Sequence, residues 1–279
     1  MTTIRNSGDS MNIEGYKCFG ATALNGNDAV VVSGPELSGW SLQDRQQFTI
    51  DQNAHACVFV DTEGPASDQL TLDFYYPHAR SPLCLHASLA AADHLWNTGQ
   101  HGRVLLLTSS MRKQPLAFDR AGDNIFVSVD IQQADFPSVP ASDVAKLLRC
   151  DAGVLMLPPE VASVGSPKLL VEVASEAVLY SLQPNLDAIA EWGRANGVNG
   201  CFVYARTGAS SNEYAGRNFN HVDPAMEDAA TGVAAGALSV RLDADITLYQ
   251  GRNLDNPCVI RASRTAGKIR VGGRVATGR

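Results

Sequence analysis

The amino-acid sequence predicts an α+β protein made of two similar domains with a cleft between them. Strand patterns recur along the whole chain, and each half contains one helix of small residues. Residues 81–96 read SPLCLHASLAAADHLW, and residues 226–242 read MEDAATGVAAGALSVRL. Because Ala and Gly have almost no side chain, such a helix can lie close to other backbone, inside a sheet or barrel. The repetition indicates an internal duplication with one central helix in each half.

Strand and helix signals alternate through the first half. Helices are predicted over residues 42–48, where Ser41 can cap the first turn, and from His86 onward. Strands are predicted at residues 16–21, 29–33, 57–61, 70–76 and 103–108. Because the first ten residues are polar, we expect the folded chain to begin at Met11.

The second half follows the same plan. The second central helix is expected here, with Asp228 as its N-cap and residues 229–231 in its first turn. Other helices are predicted at residues 141–149 and 185–195, and strands at residues 116–118, 125–131, 168–173, 200–205, 217–219, 246–250, 258–262 and 268–275. We predict an N-terminal domain over residues 11–115 and a C-terminal domain over residues 116–279, and leave open that the last strands return to the first domain.

Composition limits the class of protein. The chain has 279 residues, 45% hydrophobic and 18% charged, which is typical of a soluble globular protein with one large core or two medium cores. Its net charge of -7 argues against a nucleic-acid surface, so the expected partner is a small molecule. No apolar run approaches the roughly 20 residues that span a bilayer. The N-terminus also lacks the apolar core of a signal peptide, so we expect no membrane contact and a cytoplasmic location.

Cys84 and His86 stand at the start of the first central helix. The six cysteines of the chain show no CxxC spacing, which predicts neither a disulfide framework nor a structural metal. A helix N-terminus presents free N–H groups and the positive end of its dipole, which favour an anion and an ionised thiol. If the second central helix faces the first, Asp228 joins the same anion site. The alternative is that Cys84 and His86 are ordinary core residues.

Several motifs resemble one known family when read in order. They are GNDAVVV at residues 26–32, YYPHARSPLCLHASLAAA at 75–92, RNF at 217–219, EDAATG at 227–232, and the closing YQGRNLDNPCVIRA and KIRVGGRV. Together these motifs resemble the phenazine-biosynthesis PhzF-like isomerase family, which is related in fold to diaminopimelate epimerase. The resemblance implies two pseudo-symmetric domains, each a mixed sheet or barrel wrapped around a central helix, with an active site between them. It also implies a homodimer and no metal or organic cofactor.

The resemblance also implies a proton-transfer reaction and its residues. In such enzymes one side chain takes a proton from a carbon next to a carboxylate, and the same or another group returns a proton elsewhere. His86 and Asp228 match the active-site His and Asp of the family, and Cys84 lies where amino-acid epimerases of related fold carry a thiol base. The residues expected to bind substrate are Asn27, Leu85, Ala87, Arg217, Ala230, Thr231 and Gly232.

The chain differs from the family pattern within these motifs. Ala56 occupies the position of the catalytic Glu, Leu85 that of a Gly, and Val233 that of a Ser. His55, Cys57 and Cys84 are the candidates to replace the Glu. Strand alternation directs the side chains of His55 and Cys57 to the face opposite Ala56, which favours Cys84.

Three explanations for the missing Glu remain open at this point. In the first, another base replaces it. In the second, the substrate has a more acidic proton and Cys84 acts with His86 or Asp228. In the third, the site binds a small acid without turnover, or the chain only packs against a partner. We therefore predict a cofactor-independent, biosynthetic isomerase or epimerase that moves a proton on an amino acid or a dihydro-hydroxy aromatic acid. Its predicted catalytic residues are Cys84, His86, Asp228 and His55. The alternative is a catalytically silent small-acid binding protein on the same fold.

Overall fold

The computed structural model describes residues 11–62, 69–99, 104–131, 136, 138–208, 212–219, 227–265 and 267–278. The expectations for the first ten residues, for a strand start at Arg103 and for Met226 lie outside these ranges. The described chain mixes many strands with few helices, which confirms the predicted α+β class.

The helices and strands follow one another as follows. The first half contains β1 (Asn12–Phe19), β2 (Gly26–Ser33), α1 (Leu42–Gln52), β3 (Ala56–Thr62), β4 (Leu70–Tyr76), β5 (Ala79–Ser81), α2 (Leu85–Asn97), β6 (Val104–Ser109), β7 (Pro115–Ala121) and β8 (Asn124–Asp130). The second half contains α3 (Ala141–Leu148), β9 (Glu160–Ala162), β10 (Lys168–Glu172), α4 (Glu176–Ser181), α5 (Leu186–Asn196), β11 (Cys201–Arg206), β12 (Glu213–Phe219), β13 (Glu227–Asp228), α6 (Gly232–Leu242), β14 (Ile246–Gln250), β15 (Cys258–Thr265) and β16 (Lys268–Thr277). Short 3-10 helices lie at Pro35–Gly39, Ala152–Val154 and Arg252–Leu254.

Capping signals in the sequence agree with the helix ends. The Ser41 side chain accepts a hydrogen bond from the backbone N–H of Asp44, and the Asp44 carboxylate accepts one from the backbone N–H of Ser41. This reciprocal capping box fixes the start of α1. α1 continues past its predicted end and stops where Asn53 takes a left-handed φ of 50°. Asn185 caps α5, and Gly197 ends it with a φ of 66°.

Contacts along the chain divide it into two compact units. The first unit contains Asn27–Val127 with the described residues of Met1–Cys18 and Val275–Arg279, and the second contains Phe19–Gly26 and Ser128–Arg274. The domain boundary between residues 115 and 116 stays a prediction.

The first unit is a mixed sheet with the strand order β1-β2-β3-β4-β6-β7-β8. β2 and β3 are parallel, β3 and β4 antiparallel, β4 and β6 parallel, and β6 and β7 antiparallel. Parallel neighbours require a crossover, and α1 and α2 occupy the two crossovers. The end of β16 pairs with β1, with Thr277 opposite Tyr16.

The second unit repeats this pairing pattern. Its strand order is β8-β16-β15-β14-β12-β11-β10-β9. β10 and β11 are parallel, β11 and β12 antiparallel, β12 and β14 parallel, and β14 and β15 antiparallel. α4 and α5 lie in the first crossover and α6 lies in the second. The predicted pseudo-symmetry is therefore confirmed at the level of strand pairing.

α2 and α6 are the central helices. Ten of the 13 residues of α2 and seven of the 11 residues of α6 are buried. α2 packs against β3 and β4, and α6 packs against β9, β10, β14 and β15. A helix buried on most of its faces must be enclosed by its sheet, so the predicted wrapping of each sheet around a central helix is confirmed.

The start of α6 differs from the prediction. Asp228 is not the N-cap, because Thr231 takes that position and the helix begins at Gly232. Asp228 lies instead in β13, where it pairs with Asn218 of β12. The pairing holds residue 228 in an extended conformation, so the helical turn can form only after it.

Close packing around α6 gives a first testable prediction. A Cβ atom on Gly236 would lie 2.8 Å from Val164 Cγ2 and 3.2 Å from Val271 Cγ2. We expect Gly236→Leu to lower the free energy of unfolding by about 1–3 kcal/mol, because the added side chain overpacks the interior. Gly39→Leu is the control, since nothing lies within 4 Å of its Cβ position. Equal urea midpoints for Gly236→Leu and the wild type would contradict the packing described for α6.

Candidate active-site groups

Cys84 and His86 meet at the start of α2. The helix begins at Leu85, one residue before its predicted start at His86, with Cys84 as its N-cap and His86 in its first turn. Cys84 Sγ is 3.4 Å from His86 Nδ1, a hydrogen-bond distance for sulfur. The Cys84 carbonyl accepts hydrogen bonds from the N–H and the hydroxyl of Ser88, at 2.9 Å and 2.7 Å. Cys84 and His86 are buried, with 1% and 6% of their surface exposed.

The ring of His55 lies beside the ring of His86. The two ring centroids are 6.0 Å apart with an interplanar angle of 82°. The argument that strand alternation directs His55 to the face opposite Ala56 does not apply, because β3 begins at Ala56 and His55 belongs to the bend before it. Alternation applies only within the strand, so it does not fix the direction of the His55 side chain.

Two aromatic residues that sequence reasoning missed extend this group. The ring of Tyr76 lies 6.4 Å from the ring of His86, and His78 stacks on Tyr76 with centroids 5.6 Å apart and an interplanar angle of 8°. Both belong to the motif YYPHARSPLCLH, which was the available signal. We call Cys84, His86, His55, Tyr76 and His78 the thiol–imidazole group.

Ala56 and Cys57 contribute no acid–base side chain to this group. Ala56 is fully buried at the start of β3. Cys57 packs in an apolar cluster with Val32, Leu37, Phe59 and Tyr75. Burial raises the pKa of the Cys57 thiol to about 11, although a hydrogen bond with the Thr49 side chain acts in the opposite direction. Cys57 therefore stays protonated near neutral pH and is a core residue.

The substrate-binding residues predicted in the first unit are all buried. Asn27 is 2% exposed and lies in β2. Leu85 and Ala87, at 3% and 0% exposure, lie in the first turn of α2 on either side of His86. Their side chains are apolar, so their backbone N–H groups are the polar atoms they can offer. Substrate binding by these residues stays a prediction.

Asp228 is anchored by the turn that precedes α6. Its Oδ2 accepts a hydrogen bond from the Thr231 hydroxyl at 2.5 Å, and its Oδ1 accepts one from the backbone N–H of Ala230 at 3.3 Å. Ala230 and Thr231 are buried, with 1% and 6% exposure, and Gly232 is the first residue of α6. The structure thus brings these three predicted binding residues together with Asp228 in one turn.

Gln250 is a further member of this turn that sequence reasoning missed. Its Nε2 donates to the carbonyl of Asp228 at 2.6 Å and to Thr231 Oγ1 at 3.1 Å, and its Oε1 accepts from the N–H of Thr231 at 3.0 Å. Gly251 follows with a φ of 83°, and a Cβ there would lie 2.9 Å from the carbonyl oxygen of Ala229. The sequence signal for this contact is the Gln-Gly pair at the end of β14, since only Gly lets the backbone of residue 251 lie this close to the Ala229 carbonyl.

The guanidinium of Arg217 is hydrogen-bonded to neighbouring groups of the second unit. Its Nε and Nη2 donate to the two carboxylate oxygens of Glu227, at 2.9 Å and 2.7 Å. Its Nη1 donates to the carbonyls of Leu179 and Leu182, at 3.1 Å and 3.0 Å. The guanidinium stacks over the ring of Phe219 at 4.8 Å. Substrate binding by Arg217 stays a prediction, and it would require the loss of some of these bonds.

Two buried polar residues near Asp228 were also missed by sequence reasoning. Lys168 in β10 is 3% exposed, and Asn218 in β12 is 1% exposed and pairs with Asp228. Burial lowers the pKa of Lys168 to about 8, while the charges of Asp228 and Cys201 act to raise it. The available signal was a lysine inside the apolar strand pattern KLLVEV.

The described part of the chain contains no evident metal centre. Within it, no group of three or more His, Cys, Asp and Glu side chains is arranged to hold a metal ion. The six cysteines are all free thiols. None of the helices in the described ranges is long and apolar enough to cross a bilayer.

Solved structures and curated relatives resemble the chain over most of its length. A predicted epimerase from Pseudomonas aeruginosa has a TM-score of 0.78 at 24% identity, covering 97% of this chain and 98% of that chain. A hydroxyproline epimerase from Agrobacterium vitis, with bound trans-4-hydroxy-L-proline, has a TM-score of 0.57 at 8% identity, covering 96% and 91%. An uncharacterized isomerase from Deinococcus radiodurans is 29% identical in an alignment that covers 83% of this chain and 80% of the relative. An uncharacterized isomerase from Escherichia coli is 25% identical in an alignment that covers 80% of this chain and 76% of the relative.

The structural neighbours, which include a probable proline racemase and a hydroxyproline epimerase, show that the chain shares their fold. The curated relatives are named as isomerases, and the class of the protein is that of the isomerases. The family model described as phenazine biosynthesis-like protein matches residues 16–277. The chain belongs to this family, and the resemblance inferred from its motifs is confirmed.

The burial of Lys168 gives a second testable prediction. We expect Lys168→Met to raise the free energy of unfolding by about 1–3 kcal/mol near neutral pH, because a buried ammonium is replaced by an apolar chain of similar length. The pKa of Lys168 rises from about 8 in the folded chain to 10.5, its ordinary value, on unfolding. Between these values the unfolded chain binds more protons, so the stability contributed by Lys168 rises with pH.

The stability difference between Lys168→Met and the wild type should therefore shrink as the pH rises through that window. Comparing the two proteins in urea cancels the titration of the other thiols and phenols. Lys146→Met is the matched control, since the Lys146 side chain is 77% exposed and should show neither effect. A stability difference that is independent of pH would contradict the lowered pKa of Lys168.

Proposed function

We propose that the protein isomerises or epimerises a small carboxylate by proton transfer without a cofactor. The observation that carries the proposal is the 3.4 Å contact between Cys84 Sγ and His86 Nδ1 at the start of α2. A thiol and an imidazole in hydrogen-bond contact can exchange a proton and can serve as base and acid in turn. The substrates we propose are amino acids and dihydro-hydroxy aromatic acids, in a biosynthetic reaction.

The first turn of α2 supplies groups that stabilise the charge of such a reaction. Removal of a proton next to a carboxylate leaves enolate-like negative charge on the substrate. The first backbone N–H groups of an α-helix have no acceptor within the helix, and those of Leu85, His86 and Ala87 belong to this set. Fixed N–H donors directed at developing charge lower the barrier by several kcal/mol, roughly 3 for a single donor. Leu85 and Ala87 would thus act through their backbone.

Cys84 is the proposed base in place of the family Glu, whose position is occupied by Ala56. His86 is the proposed partner that accepts and returns the thiol proton. His55 is proposed as a relay between His86 and the substrate or solvent, because its ring is 6.0 Å from that of His86. These three roles use the titratable side chains that the structure brings together around the start of α2.

Asp228 is proposed as an additional acid–base group. The Thr231 hydroxyl and the Ala230 N–H hold its carboxylate in one orientation, as a proton-transfer group requires. Arg217 is proposed to act through Glu227: its two bonds to that carboxylate hold β13, and with it Asp228, against β12. Asn27, Thr231 and Gly232 are proposed to contact substrate.

Amino acids receive support from the structural neighbours. The hydroxyproline epimerase of the same fold contains trans-4-hydroxy-L-proline, and a probable proline racemase also has this fold. Dihydro-hydroxy aromatic acids are supported by the family to which the chain belongs. A homodimer and independence of cofactors are part of the same proposal and rest on the resemblance of the motifs. A cytoplasmic location is also proposed, from the hydropathy pattern of the sequence.

Exchange of carbon-bound protons with solvent tests this proposal directly. The protein is incubated in deuterium oxide with a panel of amino acids and dihydro-hydroxy aromatic acids, and the substrate protons are followed by NMR. We expect loss of the signal from the carbon next to the carboxylate in one class of acid. Cys84→Ser and His86→Gln should each slow the exchange by about 10²–10⁴-fold, the usual contribution of a general acid or base.

Further variants separate the roles of the remaining residues. His55→Gln should slow exchange less than His86→Gln if His55 is a relay, and Asp228→Asn measures the contribution of the second unit. Cys150→Ser is the control, since Cys150 is a partly exposed thiol outside the thiol–imidazole group. Unchanged exchange in both Cys84→Ser and His86→Gln would overturn the assignment of the base.

A catalytically silent small-acid binding protein is the second candidate function. The resemblance of the motifs supports it, because Ala56 stands at the position of the family Glu, and so does the burial of the Cys84 thiol, which is only 1% exposed. In that case a panel acid would bind with a saturable signal but none of its carbon-bound protons would exchange. This outcome would replace the proposed isomerase reaction.

A further inference from the structure

One face of the second unit's sheet carries polar side chains beside the start of α6. Leu169, Val171, Cys201, Val203 and Phe219 belong to the apolar cluster that packs with α3, α4 and α5. Since side chains alternate along a strand, Lys168 and Asn218 lie on the other face of the sheet, on which α6 packs. Asp228 is directly opposite Asn218 across the β12–β13 pair, so its side chain shares that face.

Lys168 is buried without an ion pair. Only 3% of its surface is exposed, and within the described ranges no carboxylate lies within salt-bridge distance of its ammonium group. Among neighbouring charges, that of Asp228 acts on it most strongly. Buried lysines are normally paired, because the desolvation of an unpaired ammonium destabilises the fold. Binding of an anion to such a group offsets the desolvation cost of the ammonium, so an unpaired buried lysine favours anion binding.

Asn218 provides a second, independent sign of a missing ligand. It is 1% exposed, and its Oδ1 has no hydrogen-bond partner in the described chain. Buried amide oxygens are nearly always hydrogen-bonded, so an unpartnered one at this place indicates a donor that arrives with a ligand. A substrate amine or hydroxyl is such a donor.

The Asp228 carboxylate is already hydrogen-bonded to other groups of the protein. Its oxygens accept hydrogen bonds from Thr231 and Ala230, and Gln250 holds the Asp228 carbonyl. Asp228 therefore attracts Lys168 at a distance without neutralising it in a direct pair. A ligand with one negative charge would complete this arrangement, whereas a phosphate dianion would place excess negative charge beside Asp228.

We propose that Lys168 and Asn218 form a carboxylate-recognition site beside Asp228, in which the Lys168 ammonium binds the substrate carboxylate and the Asn218 amide oxygen accepts a hydrogen bond from a neighbouring amine or hydroxyl. This inference deepens the proposed function and rests on it for the identity of the acid. Binding of a carboxylate to Lys168 can nevertheless be measured without turnover. Lys168 is thereby a binding residue, and Asn218 sets the preference for substituted acids.

Several charged or titratable groups act on Lys168 from the elements around it. Asp228 of β13 is on the same face and Cys201 of β11 is adjacent. Further along the same face, β9 carries Glu160, which forms an ion pair with Arg241 of α6, and β10 carries Glu172, which lies 3.6 Å from Arg206. Only Asp228 and Cys201 are therefore expected to contribute to the titration of Lys168.

The test follows the Cε resonance of Lys168 by NMR in protein labelled with carbon-13 lysine. The chain has five lysines, so the spectrum is simple, and Lys168→Met identifies the signal. Without ligand we expect a titration midpoint at about 8. Saturating acetate or benzoate should raise this midpoint by about 1 unit or more, because a bound anion favours the ammonium form. Benzamide, which has the same shape as benzoate but no charge, should leave it unchanged.

Control resonances and variants make the outcome decisive. The Lys146 signal should not respond to any acid, since that side chain is exposed. The binding of the free amino acid alanine and of benzoate is compared between the wild type and Asn218→Leu. The substitution should weaken the binding of alanine, measured from the Lys168 midpoint, by about tenfold and should leave the binding of benzoate unchanged. The reason is that only alanine brings an amine to the Asn218 oxygen. Inorganic phosphate should raise the midpoint less than acetate does.

The results distinguish failure of the recognition site from failure of the proposed isomerase reaction. A Lys168 midpoint that no carboxylate moves would overturn the recognition site, even if proton exchange is found with the wild type. A midpoint that rises with carboxylates in a protein that exchanges no substrate proton would support the recognition site and contradict the isomerase reaction. A rise with phosphate equal to that with acetate would overturn the preference for a single negative charge.

Discussion

Close packing of backbone around α2 and α6 is the constraint on which the rest of this structure depends. Each helix fills the interior of a mixed sheet. At Gly236 of α6 the surrounding side chains are so close that a single added carbon atom would lie 2.8 Å from Val164 Cγ2. Small residues permit this approach, because the distance between a helix and a strand is set by the side chains between them. The two helices have 13 and 11 residues, a length at which an isolated helix is only marginally stable in water, so each depends on packing against its sheet.

This constraint also shapes the chemistry. A helix that runs through an interior brings its first turn, and whatever precedes it, into a partly dehydrated environment. Hydrogen bonds and charges are stronger there than at a surface. The contact of Cys84 with His86 and the turn around Asp228 both benefit from this setting. The same setting makes Lys168 costly to keep, which is why its presence calls for a functional explanation.

The sequence predicted the architecture better than the details of the site. Apolar alternation, caps such as Ser41 and Asn185, and the two stretches of Ala and Gly were enough for the α+β class and for the repeat. The start of α6 was missed because the pairing of Asp228 with Asn218, two distant residues in the sequence, overrides the local capping preference. The direction of the His55 side chain could not be predicted from strand alternation, because His55 lies in the bend before β3.

Site residues that act through long-range contacts were the least predictable. Gln250 reaches the Asp228 turn from a strand 22 positions away, and the Gln-Gly pair in the sequence does not show which turn it contacts. Lys168 and Asn218 read as ordinary strand residues until their burial is known. Cys84 and His86 could be found because their spacing places them on one turn of a helix, so a local rule was sufficient.

The pairing of Thr277 with Tyr16 has a consequence for how the chain is made. The first unit includes residues from both ends of the sequence, whereas every residue of the second unit precedes Val275. One strand, β16, serves both sheets: its residues 268–272 pair with β15, and its residues 275–277 pair with β1. Neither sheet can therefore have all of its strands before β16 has been synthesised.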